Sequence, residues 1–428
     1  MPEGSRLPIW SVSILSLLAL AAALPGASAE SHSAEMKPFA CANILLLPKG
    51  EYLKAADLLA QAKKQDSSLD QFANVAASFV TGLANTPPAQ PTDADKSDLS
   101  KLSPAELRDA LPEIVERARH TSIVILNEEH QAPRDRAFAL EVARALRPLG
   151  YSILAIEGLH SSADAAERER KAKLIADSGY MRHDTGVYTN DPVFAAFVRQ
   201  SLGLGYRPVV YDFIAPKGAP RVADRIARRD QGEADNLIES IFSKAPKAKV
   251  LIYLGYSHAA EKPLDGNAWL AARLKKMTGI DPLTIDQTTL SPSAFGSSNR
   301  GLYAALKTRI STHSVVPVLG GEPVTFGSLE AAVDLQVAHP PLHLIRGRPD
   351  WLFAMGRSPL EVPPKLRPQT GRVLVQAFMT NEDADAVPVD QVVVTAGRKP
   401  PPLSVPSGRL RFAVRTGYRR GDCNAAPK

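Results

Sequence analysis

Apolar residues along this chain fall into two rhythms. Short uninterrupted runs, SIVIL (122–126), SILAI (152–156), PVV (208–210) and VLIYL (250–254), alternate with longer stretches where apolar positions recur every third or fourth residue. Uninterrupted runs suit strands covered on both faces, and the 3.6-residue rhythm suits helices packed on one side. Residues 132–147 place Ala137, Leu140, Ala143 and Leu146 on one stripe, closed by Gly150. Residues 219–243 do the same with Val222, Ile226, Leu237, Ile238 and Ile241, while LTID (283–286) and AVDLQV (332–337) read as further strands. The alternation predicts an α/β domain over residues 101–356, a mostly parallel sheet with helices on both faces.

The flanks read differently. Residues 30–100 form an N-terminal helical segment and linker. Tyr52, Ala55, Leu58, Leu59 and Ala62 trace one stripe, Phe72, Val75, Phe79 and Leu83 a second, and NTPPAQPTDADKSD (85–98) follows as an exposed connection. Ser103-Pro104-Ala105-Glu106 carries the cap, proline and glutamate of a helix start. Residues 357–428 lose the helical period. Proline-rich spacers there separate RVLVQAF, VVVTA and LRFAV, which predicts a small β-rich C-terminal appendage.

Residues 1–29 have the build of a signal peptide, with Arg6, an apolar stretch from Ile9 to Leu24, and an Ala27-Ser28-Ala29 cleavage site. The stretch falls short of the ~20 residues of a spanning helix. The mature chain is therefore expected to be periplasmic or secreted, without stable membrane insertion. The formal charge of +6 is spread out, with no basic run interleaved with aromatics, so nucleic-acid binding has no support. Cys41 and Cys423 lie near the two mature ends, and an oxidising compartment would let them pair. The alternative is two unrelated thiols.

Each of the four runs stops in residues able to do chemistry: Asn127-Glu128-Glu129-His130, Glu157-Gly158, Tyr211-Asp212 and Gly255-Tyr256-Ser257-His258. In an open parallel sheet the C-terminal strand ends share one edge, where ligands bind. Taken singly, Glu128 and His130 read as an acidic turn with a histidine, and His258 as a structural imidazole. Glu157 directly follows an apolar strand, so it needs a buried partner. Asp212 reads equally as a loop or capping residue, and Arg228, Arg229 and Asp230 as a solvated helix face. Taken together, Glu128, His130, Glu157 and His258 converge on one cleft.

As an ordered set, NEEH (127–130), LAIEG (154–158) and GYSH (255–258) resemble the superfamily of erythromycin esterases, ChaN-like haem-binding proteins and Tiki/TraB-type proteins. RRDQGEADN (228–236) is similar to the Arg- and Asn-containing helix of the esterase branch, and AAVDLQVAHP (331–340) to the closing strand. The likeness spans roughly 105–350. Its esterase branch implies histidine/glutamate-assisted hydrolysis without an obligatory metal, its Tiki branch divalent-metal peptidase chemistry, and its ChaN branch haem binding.

Two readings follow. In the first, an exported hydrolase cleaves an ester or amide bond of a small-molecule or peptide substrate. A Zn or Mn ion would sit on His130, His258 and Glu157, with Glu128 or Glu157 as base; without metal, a histidine deprotonates water and a glutamate orients it. Arg229 would hold a substrate anion or oxyanion, with Asp212 and Tyr256 in support. In the second, a binding protein holds haem through His130, His258, Tyr256 or Tyr211. A third possibility is an envelope scaffold without chemistry.

Overall fold

The computed structural model describes residues 37–84, 95–159, 164–213, 222–264, 266–292 and 300–423. The expected signal peptide, residues 1–29, and most of the 85–98 connection lie outside them. Nine strands are named in chain order: β1 (Glu106–Asp109), β2 (Ile123–Glu128), β3 (Ile153–Ile156), β4 (Arg207–Val210), β5 (Val250–Gly255), β6 (Leu283–Asp286), β7 (Val315–Leu319), β8 (Glu322–Pro323) and β9 (Leu335–Gln336). Six of them make one all-parallel sheet in the order β4-β3-β5-β2-β6-β9. The protein is an α/β fold with helices over the sheet.

Alternation along each strand explains why the runs are apolar throughout. Val124, Leu126, Leu154, Ile156, Leu251 and Tyr253 face one side, against Phe138, Leu140, Phe194 and Phe197 of the helices Pro133–Leu146 and Pro192–Gly203. Ile123, Ile125, Ile153, Ala155, Val250 and Ile252 face the other, against Leu237, Ile241, Leu270 and Leu274. With both faces buried, neither side tolerates the polar alternation of a solvated strand. Strand β5 inserts between β2 and β3, so its end meets theirs: Glu128 pairs with Gly255, and Ile156 with Tyr253.

Some expected boundaries shift. Ser103-Pro104-Ala105-Glu106 does not open a helix. Ser103 follows the helix Lys96–Leu102, Glu106 begins β1, and the next helix runs Ala110–Ala118. Strand β1 has an antiparallel partner, β7, and that pairing outweighs the local capping signal. The helix expected over 219–243 is Val222–Leu237, which widens into a π-helical turn at Ile238–Phe242. The AVDLQV strand contracts to β9, and just before it the Asp334 side chain accepts from the backbone N–H of Thr284 at 2.9 Å.

The two flanks pack onto each other as well as onto the central domain. The helices Tyr52–Ala62 and Asp70–Thr81 share the core of Phe138 and Phe194. The C-terminal strands Arg372–Met379, Asp390–Thr395 and Leu410–Thr416 form an antiparallel sheet over Val375, Val392 and Leu403. Gln391 Nε2 donates to the Phe79 carbonyl at 2.7 Å and Gln376 Nε2 to that of Gly50 at 3.2 Å. Cys41 and Cys423 form a disulfide, with Cα atoms 5.7 Å apart. No helix of the described residues is long and apolar enough to cross a membrane.

Candidate functional site

The edge formed by the ends of β2, β3 and β5 is lined by buried charge. Glu128, His130, Glu157, Asp212, Arg229, Asp230, Glu233 and His258 are all less than a tenth exposed. Burying so many ionisable groups is costly unless each finds a partner. The partners sort into two halves.

The first half is built on β2. His130 Nδ1 lies 2.9 Å from Glu128 Oε1. Arg136 grips the same carboxylate from the following helix, Nε donating to Oε2 at 2.6 Å and NH2 to Oε1 at 2.7 Å, and Tyr253 donates its hydroxyl to Oε2 at 2.7 Å. Burial alone would raise the Glu128 carboxyl, but the Arg136 guanidinium and then His130 bring it down to about 2. An ionised Glu128 only accepts, so the proton between the pair sits on His130 Nδ1, and in the neutral ring the lone pair is on Nε2. Nε2 has no hydrogen-bond partner among the described residues. The Tyr188 ring stacks on the imidazole with centroids 3.8 Å apart, and Tyr256 meets it edge-on at 5.0 Å. Tyr188 itself is buried, and its hydroxyl has no hydrogen-bond partner among the described residues.

The second half is centred on Arg229. One guanidinium nitrogen, NH2, contacts Glu157 Oε1, Asp212 Oδ1 at 3.1 Å and Glu233 Oε1 at 2.8 Å. The other, NH1, lies 2.9 Å from His258 Nε2. Guanidinium can only donate, so Nε2 accepts and the His258 proton is on Nδ1, which lies 2.7 Å from Asp230 Oδ1 in an ion-pair contact bent off the hydrogen-bond line. Burial pulls the His258 imidazole down, but Asp230 and then Glu157 outweigh it, so the net shift is upward. A second proton on Nε2 would require Arg229 to turn away. For Glu157, burial raises the carboxyl while Arg229, His258 and His130 lower it further, to about 2.

The halves touch at the end of β5, where Gly255 N donates to Glu157 Oε2. Gly255 is not there for backbone freedom: its φ is −98°, and the left-handed residue of the turn is Tyr256, at φ 48°. A Cβ on Gly255 would sit 2.5 Å from His130 Cε1 and 2.9 Å from Nε2. The glycine is the floor under the imidazole. Gly255→Ala is expected to cost about 1–3 kcal/mol, because a ring fixed by Glu128 and Tyr188 cannot yield; an unchanged urea midpoint would show that it can. Asn127 holds this turn, its amide donating to the Tyr256 carbonyl at 2.9 Å and to Asp286 Oδ1 at 2.7 Å.

The expected residues therefore converge, with roles redistributed. Tyr256 serves as a wall: its ring meets His130 edge-on, and its hydroxyl accepts from Gln71 Nε2 at 2.9 Å, bringing the N-terminal helices to the site. Arg229 is committed to protein carboxylates. The sequence reading passed over Arg136, Tyr188, Tyr253 and Glu233. Glu233 had a usable signal, since Arg229, Glu233 and Asn236 at i, i+4 and i+7 make a polar stripe on one helix face.

Among the described residues, two groups of acidic and histidine side chains are close enough to share an ion: Asp230, Glu233 and His258, and Glu157, Asp212 and Glu233, each with donor atoms within 4.8 Å of one another. The expected trio of His130, His258 and Glu157 is neither of these. As arranged, neither group fits a divalent ion: Arg229 NH2 already lies against the second, and the Nδ1 proton of His258 points into the first. Haem fits no better. His258 Nε2 accepts from Arg229, Tyr256 OH from Gln71, and Tyr211 OH donates to the Tyr253 carbonyl at 3.3 Å. His130 Nε2 is unengaged but rests against Gly255, with Tyr188 stacked on its ring.

No family profile matches the chain, and curated proteins contain no match. Solved structures give partial likenesses. The type III effector HopBA1 is 13% identical, with 55% of this chain and 97% of that one covered at a TM-score of 0.33. ChaN of Campylobacter jejuni, described with cofacial haem, is 10% identical over 41% of this chain and 85% of its own, at 0.31. The effector domain RRSP of a Vibrio vulnificus MARTX toxin is 16% identical over 51% and 50%, at 0.29. The chain spans 44% of another bacterial protein toxin. Likenesses this low leave the site's own geometry to carry the functional reading.

Proposed function

We propose that the protein is an exported hydrolase acting on an ester or amide bond of a small-molecule or peptide substrate, with His130 as general base. The observation that supports this is the Glu128–His130 pair. A carboxylate held at about 2 by Arg136 fixes the imidazole proton on Nδ1, and leaves the Nε2 lone pair unengaged beside Glu157. Nε2 takes a proton from water as the oxygen attacks the carbonyl, and ionised Glu128 and Glu157 stabilise the imidazolium that forms. Tyr188, pushed well above its ordinary range by burial and then by Glu157, stays an O–H donor for the developing oxyanion. The Cys41–Cys423 disulfide agrees with an oxidising compartment.

The test is hydrolysis of small chromogenic esters by the purified mature chain after fluorophosphonate treatment, so that no activated serine contributes. His130→Ala should lose about 10²–10⁴-fold in kcat/KM. Tyr188→Phe should lower kcat and leave KM near its original value, because the hydroxyl would act only on charge formed in the transition state. Full activity in His130→Ala would end this reading.

A further inference from the structure

A second candidate nucleophile lies away from the cleft. A cavity of about 680 Å³ is lined by Leu111, Arg134, Phe138, Ser314, Asp350 and Trp351, among others, and touches none of Glu128, His130, Glu157 or His258. Ser314 Oγ lies 2.8 Å from His339 Nδ1. His339 Nε2 lies 3.0 Å from Gln287 Oε1 and 3.6 Å from Asp135 Oδ1.

The direction of these hydrogen bonds follows from one fixed end. Gln287 Nε2 donates to the Asn127 backbone carbonyl at 2.6 Å, and a carbonyl can only accept. The amide oxygen of Gln287 therefore faces His339, so Nε2 of that ring carries the proton and Nδ1 carries the lone pair. Ser314 must donate its hydroxyl to it. Burial holds His339 well below its ordinary value, which keeps it a neutral acceptor. A serine hydroxyl bonded to a neutral imidazole, with the far ring nitrogen anchored, is the arrangement that activates a nucleophile.

We propose that Ser314 and His339 form a second acyl-transfer site, which takes esters with a compact apolar acyl group. As Ser314 Oγ bonds to the acyl carbon, its proton passes to His339 Nδ1. The alcohol leaves with the bonding electron pair of the cleaved C–O bond and takes that proton. Water then attacks the acyl-serine, gives a proton to the same nitrogen, and Ser314 recovers it as the acid departs. Gln287 holds the Nε2 proton throughout. Arg134, lining the same cavity, supplies positive charge for the oxyanion, while Leu111, Phe138 and Trp351 supply apolar walls.

The test uses the unmodified mature chain and a fluorophosphonate probe, with peptide mass spectrometry to locate the adduct. Stoichiometric labelling of Ser314 is expected. Labelling should vanish in Ser314→Ala, fall at least tenfold in His339→Gln, and persist in His130→Ala, which separates this site from the cleft. An unlabelled native chain, an adduct on another residue, or undiminished labelling in a folded His339→Gln would overturn the proposal.

Discussion

Arg136→Met should destabilise the protein by about 3–5 kcal/mol, the range for removing one partner of a buried ion pair. Arg136 is fully buried and is bonded on three sides: to Glu128, to Asp191 Oδ2 at 2.7 Å and to the His130 carbonyl at 2.8 Å. Without it, two buried carboxylates lose their cation together. Asp191 also caps the helix Pro192–Gly203 through the Val193 and Phe194 amides, so the damage reaches the helix start. Against a typical total stability of about 5–15 kcal/mol, such a loss would leave many molecules unfolded. Urea unfolding measures it directly. If the charge argument is right, adding Glu128→Gln to Arg136→Met should recover part of the loss; a double variant less stable than the single one would mean that Arg136 acts by packing instead.

Opening the Cys41–Cys423 disulfide should cost about 6 kcal/mol on chain-entropy grounds, because the bond spans a sequence separation of 382 residues. The bond also ties the N-terminal helices to the end of the C-terminal sheet, alongside the Arg372–Asp57 ion pair and the Tyr418 N–H to Asp57 contact at 3.2 Å. The reduced chain and Cys41→Ser should melt at the same Tm, below that of the oxidised chain. A reduced protein that melts with the oxidised one would show that noncovalent packing alone fixes the two flanks.

The strands were readable because a parallel sheet covered on both faces writes itself as unbroken apolar runs. LTID matches β6 to the residue, and SIVIL with its following Asn127 and Glu128 brackets β2. Glu128, His130, Glu157 and His258 stand out because polar side chains at a strand end interrupt such a run, and the fold brings them to one sheet edge. Their partners do not. Tyr253 sits inside VLIYL and counts as one more apolar letter, although its hydroxyl bonds Glu128. Arg136 sits among charged residues of an amphipathic helix, and nothing in the pattern says that it points inward. The start of β1 was misread because its partner strand is 200 residues further along, beyond the reach of any local signal.

The Gln71–Tyr256 hydrogen bond crosses 185 positions to join an N-terminal helix to the aromatic ring beside His130. If the cleft acts as proposed, changes on the Asp70–Thr81 helix would re-aim Tyr256, and with it the wall beside His130, while leaving Glu128 and His130 untouched. Selectivity in such a chain can evolve in a part of the sequence that holds none of its chemistry.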